Sequence, residues 1–272
     1  HHCLGNDFLV VLDELNGPVT IGPVDARRLC DRHRGSGGDG LLHGPVASRE
    51  AGQGAEPGDV VMHLFNADGS RAELSGNGIR CFGQAVADAR GIQTGELRVG
   101  TDAGVKRLRL WPGASQAETE VAAEIGTAAP GPELPRRVKE LLGEWRCTTV
   151  DLGNPHLVVL LDGLPKLRDL ELASTGPQLE REFPGGINIE FVAVIGPTTI
   201  ELRVWERGVG ITEACGTGAC AVASQLAAWG YTGDDVEVRM PGGAVNVTID
   251  EQRRITLIGP SVRVASIEVD DA

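Results

Sequence analysis

Aromatic side chains are scarce in this chain, at 4% of 272 residues. A core must therefore be filled mainly by aliphatic side chains. No apolar run approaches the about 18 residues that a membrane-spanning helix needs, so a membrane partner is not expected. No secretory leader is read at the start, which points to a cytoplasmic protein. The first residues, His1 and His2, are not an initiator Met and are read as a trimmed or tag-derived start. Positive charge is in deficit: 25 Lys and Arg stand against 38 Asp and Glu, a net charge of −13. That balance argues against nucleic acid and anionic membranes, which require basic patches. The six cysteines, Cys3, Cys30, Cys81, Cys147, Cys215 and Cys220, include no Cys-x-x-Cys pair or Cys/His cluster at zinc spacing. A disulfide scaffold and a structural metal site are thereby excluded.

What the chain does have is an internal echo. Glu73-Leu74-Ser75-Gly76-Asn77-Gly78 is answered by Glu213-Ala214-Cys215-Gly216-Thr217-Gly218. Gly5-Asn6-Asp7-Phe8-Leu9-Val10-Val11-Leu12-Asp13 is answered by Gly153-Asn154-Pro155-His156-Leu157-Val158-Val159-Leu160-Leu161-Asp162. The offsets are similar, so the simplest reading is a duplicated half-chain. Helices are expected over 25–33, 76–89, 216–229 and within 130–144. Strands are expected over 8–12, 157–161, 190–195, 199–205, 236–240, 244–249, 254–258 and 262–269, and 34–40 reads as loop. The expected fold is α/β (α+β), with two pseudo-symmetric domains, each a mainly antiparallel sheet wrapped around a central helix. The domains are drawn at 1–117, completed by a terminal strand in 261–272, and 118–260. Pro/Gly-rich stretches at 111–115 and 128–135 mark the candidate boundaries.

Each glycine-rich turn precedes a helix. Ser75 and Cys215 fall near the N-cap, and Gly76-Asn77 and Gly216-Thr217 open the first turn with unpaired backbone N–H groups. Such donors, with the positive end of the helix dipole, form a carboxylate site, and glycine lets a ligand approach the backbone. The dipole is expected to lower the Cys215 thiol from about 8.5 toward neutrality, making it a reactive thiolate. For one copy alone, a plain helix cap beside a buried cysteine is the better reading; two copies in register favour a site. Two helix N-termini around one carboxylate would hold an α-amino acid. A base on each face of Cα would then invert its stereochemistry without any cofactor.

The residues that carry this reading also carry a resemblance. Leu4-Gly5-Asn6-Asp7-Phe8, Phe65-Asn66-Ala67-Asp68-Gly69-Ser70 with Gly76-Asn77-Gly78-Ile79-Arg80, Gly153-Asn154-Pro155-His156, and Trp205-Glu206-Arg207-Gly208 with Thr212 to Gly218 together resemble diaminopimelate epimerase across nearly the whole chain. The resemblance implies interconversion of LL- and meso-diaminopimelate, in lysine and cell-wall precursor biosynthesis, without pyridoxal phosphate or metal. It implies that Cys215 is one catalytic cysteine and that Ser75 occupies the place of the other. Gly76, Asn77, Gly216 and Thr217 match the cradle of the reacting carboxylate. Asn6, Asn66, Asn154, Asn188 and Arg207 match residues that grip the substrate, and His156 and Glu206 match polar groups beside the reacting centre. The guanidinium fork of Arg207 suits a distal carboxylate. The implied partner is a small amino acid with two carboxylates, and a homodimer is the candidate assembly. Strand packing is the plain alternative for Asn188. Arg80, Glu73 and Glu213 are read as structural pairs.

The departure is Ser75, which keeps the shape of cysteine and loses its acid–base capacity. Cys81, six residues on in the same helix, faces away from it. The expected chain is an impaired epimerase. The alternatives are a hydroxyproline dehydratase or epimerase that uses Ser75, a histidine racemase, and an amino-acid binding protein without catalysis. Cys3, in a run where the family has Gly, has no account at this level.

Overall fold

The computed structural model describes residues 1–45 and 59–269. Contacts divide the chain into two units, residues 1–123 with 259–272, and residues 124–258. Residues 270–272 of the expected terminal segment lie outside the described residues.

The first unit carries the strand Asn6–Leu12, whose parallel partner is Gly40–Gly44, with Phe8 opposite Gly40 and Val10 opposite Leu42. His63–Asn66 runs antiparallel on the far side, with Leu41 opposite Phe65. It turns through a short hairpin into Arg71–Ala72. After three intervening residues the helix Gly76–Arg90 begins. The antiparallel run Gly95–Thr101, Gly104–Pro112 and Glu118–Thr127 follows, and the division between the units falls within its last strand, after Ala123.

The second unit repeats that order. Pro155–Leu160 pairs in parallel with Asn188–Gly196, with His156 opposite Asn188 and Val158 opposite Glu190. Thr199–Glu206 runs antiparallel to the latter, with Ile189 opposite Trp205, and turns into Gly210–Thr212. The helix Gly216–Ala228 follows at the same spacing. Strands Asp235–Met240, Gly243–Ile249 and Arg254–Val262 complete the antiparallel run. The matching registers make Phe8 the counterpart of His156, Leu42 of Glu190, and Asn66 of Glu206.

Both principal helices begin with glycine-rich turns of poor helix propensity, so tertiary packing must hold them. Every residue from Gly76 to Ala87 is buried, and Ile79, Cys81 and Phe82 are fully so. The helix stops at Gly91, whose φ of 65° is the left-handed conformation that glycine permits. The second helix buries Gly216 to Ala223 and Leu226. On the strand face turned away from it, Leu157, Val159, Ile189, Phe191 and Ala193 join Leu167, Leu172 and Leu179 in one apolar cluster.

Several expectations are corrected. The expected terminal strand 262–269 is instead the end of Arg254–Val262, and residues 263–269 have no regular structure. The helix expected within 130–144 runs over Arg136–Leu142, because Pro135 disfavours α geometry at Leu134 before it. The 111–115 stretch is the turn between two strands of the first unit rather than a boundary. Helices Leu164–Arg168 and Leu172–Glu180 went unread; both contain proline, Pro165 in the first turn and Pro177 inside the second.

Phe191 has no exposed surface and belongs to the apolar cluster, whereas Ile211 is 53% exposed. Phe191→Ala should cost about 3–5 kcal/mol in urea unfolding, against about 0.5 kcal/mol or less for Ile211→Ala.

Candidate active site

In the first unit Ser75 is the N-cap of its helix, and the Gly78 N–H donates to Ser75 Oγ at 3.0 Å. Gly76 and Asn77 follow in the first turn, where N–H groups have no intrahelical acceptor. The turn is braced from the side. Asn77 Nδ2 donates to Asn6 Oδ1 at 3.2 Å, and Asn6 Nδ2 donates to Asp39 Oδ2 at 2.8 Å. Arg32 holds Asp7 with both terminal nitrogens and Asp39 with one. Asn66, at the hairpin, is exposed and donates to Ser70 Oγ at 2.9 Å.

Beneath this turn lies Arg80, fully buried. It donates to Gly76 O and to Asn77 Oδ1, each at 3.0 Å, so it holds the cradle from behind. The expected ion-pair role for Glu73 and Glu213 is corrected: both are exposed, and Arg80 bonds to the turn itself. Cys3 Sγ donates to Asn77 O at 3.4 Å and lies 3.4 Å from Cys81 Sγ. Burial raises the Cys3 thiol, but the Cys81 hydrogen bond, the Arg80 charge and Ser261 outweigh it and bring it down to about 6. Cys81 moves the other way, raised by burial and by Cys3. The residue without an account in the sequence is thus a buried thiol that Cys81 and the Arg80 charge hold below its usual pKa.

In the second unit Cys215 is the N-cap, with φ and ψ of −127° and 114° against −129° and 127° at Ser75. Gly218 N–H donates to Cys215 Sγ at 3.4 Å, and Thr217 Oγ1 lies 3.6 Å from the same sulfur. Asn154 Nδ2 donates to Thr217 Oγ1 at 3.2 Å, the counterpart of the Asn6–Asn77 bond. His156, fully buried, sets Nε2 3.0 Å from Asn154 Oδ1 and Nδ1 2.7 Å from Glu190 Oε1.

The hairpin that precedes this helix carries Glu206 and Arg207. Thr212 Oγ1 donates to Glu206 Oε1 at 2.6 Å. Arg207 N–H donates to Asn188 Oδ1 at 3.0 Å, and Asn188 Nδ2 donates to Pro155 O at 3.1 Å. Asn188 therefore ties the hairpin to the strand that bears His156. Glu180 pins the hairpin from outside, accepting from Trp205 Nε1 at 2.7 Å and from Gly208 N–H at 3.0 Å. The Arg207 stem crosses Gly186, where an added Cβ would lie 2.8 Å from Arg207 Cγ. Its side chain is exposed.

The expected low pKa of Cys215 is corrected. Burial, then the Glu206 carboxylate, then Glu190, raise the thiol well above its usual value, against the lowering bonds from Gly218 and Thr217. In a dry setting with two carboxylates nearby, desolvation outweighs the helix N-terminus. Cys215 is a protonated thiol at neutral pH. Glu190, Glu180 and the Arg80–Cys3 contact are the parts that sequence reasoning missed. Glu190 left a visible signal, a carboxylate inside the otherwise apolar run Ile189 to Val194.

Among the described residues no cluster of three or more His, Cys, Asp or Glu could hold a metal ion. No helix among them is long and apolar enough to cross a membrane.

The diaminopimelate epimerase family model matches residues 1–128 and 148–264. The diaminopimelate epimerase of Synechocystis is 37% identical over 98% of this chain and 96% of its own length. That of Magnetococcus marinus is 38% identical over 97% and 93%. A crystal structure described as a probable proline racemase from Agrobacterium radiobacter superposes with a TM-score of 0.68 at 17% identity, covering 99% of this chain and 92% of the other. That likeness shows a shared fold.

The Cys3 thiol sits near 6 in the folded chain, against 9.0 as its ordinary value. A lowered acid stabilises the fold above its unfolded pKa, and that contribution fades as pH falls toward the folded one. Relative to Cys3→Ala, the chain should therefore gain stability steadily from pH 6 to pH 9, read as the pH dependence of the Tm difference.

Proposed function

Since this chain belongs to the diaminopimelate epimerase family, and is by that membership an amino-acid epimerase, we propose that its substrate is diaminopimelate and that it works by two-base inversion of LL to meso, impaired at one base. The carrying observation is the pair of matched caps. Ser75 Oγ and Cys215 Sγ each accept from the third residue of a buried helix, at nearly the same backbone angles.

In this reading the first-turn N–H groups of Gly76-Asn77 and Gly216-Thr217 hold the carboxylate attached to the reacting Cα. As the Cα proton leaves, negative charge spreads onto that carboxylate, and the helix N-termini stabilise it. One face of Cα loses its proton to a base while the other receives one from an acid, so the proton count is unchanged and the centre inverts. Cys215 serves as the acid in one direction, and as the base in the reverse direction once it has given its proton. Position 75 must supply the opposite role. A serine hydroxyl there has no accessible conjugate base near neutral pH, whereas a thiol does. Proton exchange on the Cys215 face is left only to the minor fraction of the chain in which that raised thiol is ionised.

Specificity falls to the remaining polar groups. Asn6, Asn66, Asn154 and Asn188 present amides around the substrate, with His156 and Glu206 beside the reacting centre. Arg207 supplies an exposed guanidinium for the distal carboxylate, bidentate in geometry. No cofactor has a role in this scheme.

Stereoinversion and Cα–H exchange of LL-diaminopimelate in heavy water should be compared for this chain and Ser75→Cys. Restoring the thiol should raise inversion by about 10²-fold or more, the usual worth of a positioned acid–base group. Tight binding with no inversion in either form would instead mark an amino-acid binder. Arg207→Gln should weaken diaminopimelate by about ten- to a hundredfold, corresponding to one charged hydrogen-bond contact. Simple monocarboxylic amino acids should bind nearly unchanged, and an equal loss for both would remove the distal clamp.

A further inference from the structure

One buried carboxylate has no part in that scheme, yet it adjoins Cys215. Glu190, in the strand Asn188–Gly196, has no exposed surface. Its Oε1 lies 2.7 Å from Nδ1 of the equally buried His156, and its Oε2 has no hydrogen-bond partner among the described residues. From His156 an unbroken chain leads to the sulfur: Nε2 to Asn154 Oδ1 at 3.0 Å, Asn154 Nδ2 to Thr217 Oγ1 at 3.2 Å, and Thr217 Oγ1 to Cys215 Sγ at 3.6 Å. On its other side the carboxylate packs against the first turn of the helix. A Cβ at Gly218 would stand 2.5 Å from Glu190 Oε1.

The other half of the chain is built differently at the same places. Phe8 stands for His156 and Leu42 for Glu190 in the shared register. Leu42 Cδ2 lies 3.4 Å from where a Cβ at Gly78 would be. Behind Ser75, then, the wall is hydrocarbon; behind Cys215 it is an acid and an imidazole. An acid buried with one oxygen unsatisfied is costly unless it serves a purpose.

We propose that Glu190, held by His156 and packed against the Gly218 turn that bonds the sulfur, is a positioning residue for Cys215 that keeps the thiol protonated and so makes the Cys215 face the proton-giving face of the resting protein. This rests on the acid–base role given to Cys215 above. The groups that face the sulfur are consistent with it. Glu206 approaches from the strand Thr199–Glu206 and Glu190 from its neighbour, and both carboxylates raise the thiol. The strand Asp235–Met240 buries Val236, Val238 and Met240, and Gly243–Ile249 has no ionisable side chain. On Arg146–Asp151, Cys147 and Asp151 are half-buried, and Asp151 accepts from Gly153 N–H. Cys220 is buried further along the helix, and Glu213 is exposed. Glu190 differs from Glu206 in being fully buried with its second oxygen unsatisfied.

The test is a titration of Cys215 in the whole chain and in Glu190→Gln and Glu190→Leu. It is read by site-resolved iodoacetamide labelling and by the 240 nm thiolate absorbance lost in Cys215→Ala. The midpoint should fall by about one pH unit in both variants, which is about tenfold more thiolate at a given pH below it. Glu190→Gln keeps the shape, so a side chain that only fills space would leave the midpoint where it was. An unchanged midpoint in Glu190→Gln with native Tm overturns the proposal, and that variant decides if Glu190→Leu does not fold. No substrate enters the titration. A failure there is thus separate from a failure of the inversion assay, which would overturn the reaction instead.

Discussion

Both candidate half-sites depend on one small interaction, the bond from a backbone N–H to a side chain three residues earlier that starts each buried helix. Ser75 and Cys215 are held by the same groups that order the glycine turns. A cap residue is therefore fixed in place without further support, and the turn after it stays open to a ligand. The strands and hairpin that precede each cap serve to deliver it. They share a register in both halves, down to Phe65 and Trp205 paired with Leu41 and Ile189.

Polar supports differ more than the framework does. Around Ser75 the bracing comes from amide and ion pairs at the surface, Asn77 to Asn6 to Asp39 to Arg32, and from Arg80 below. Around Cys215 the bracing is internal, through His156 and Glu190. Burial without compensation raises an acid, and a facing cation lowers it. The same rule accounts for Cys215 and Cys3 moving in opposite directions, since Cys215 meets carboxylates and Cys3 meets Arg80.

Much of this was legible in the linear chain because it depends on local chemistry. A Ser or Cys followed by Gly-x-Gly before an apolar run can hardly be anything but a helix start, and the duplication of that run located both halves. The amides Asn6 and Asn154 were legible for the same reason, lying in a repeated Gly-Asn pair. Contacts between strands distant in sequence were not legible. Glu190 reads as one charge within an apolar strand until the parallel pairing of Val158 with Glu190 places it beside His156. The Cys215 pKa was misread because helix position is local, while burial and neighbouring carboxylates are not. Cys3 and Arg80 lie far apart in sequence and meet only through the pairing of the first strand with the helix.

The paired glycines that follow the caps have unequal evolutionary freedom. At Gly78 an added Cβ would meet Ser75 Cβ at 3.1 Å, a crowding internal to the turn that neighbouring atoms could relieve by a few tenths of an ångström. At Gly218 the obstacle is Glu190 Oε1 at 2.5 Å, a partner contributed by a separate strand and held by His156. The second glycine is therefore epistatic with residue 190. Removing the buried acid would open space for a side chain at Gly218, whereas at Gly78 the turn itself sets the limit, with Leu42 Cδ2 at 3.4 Å beyond it.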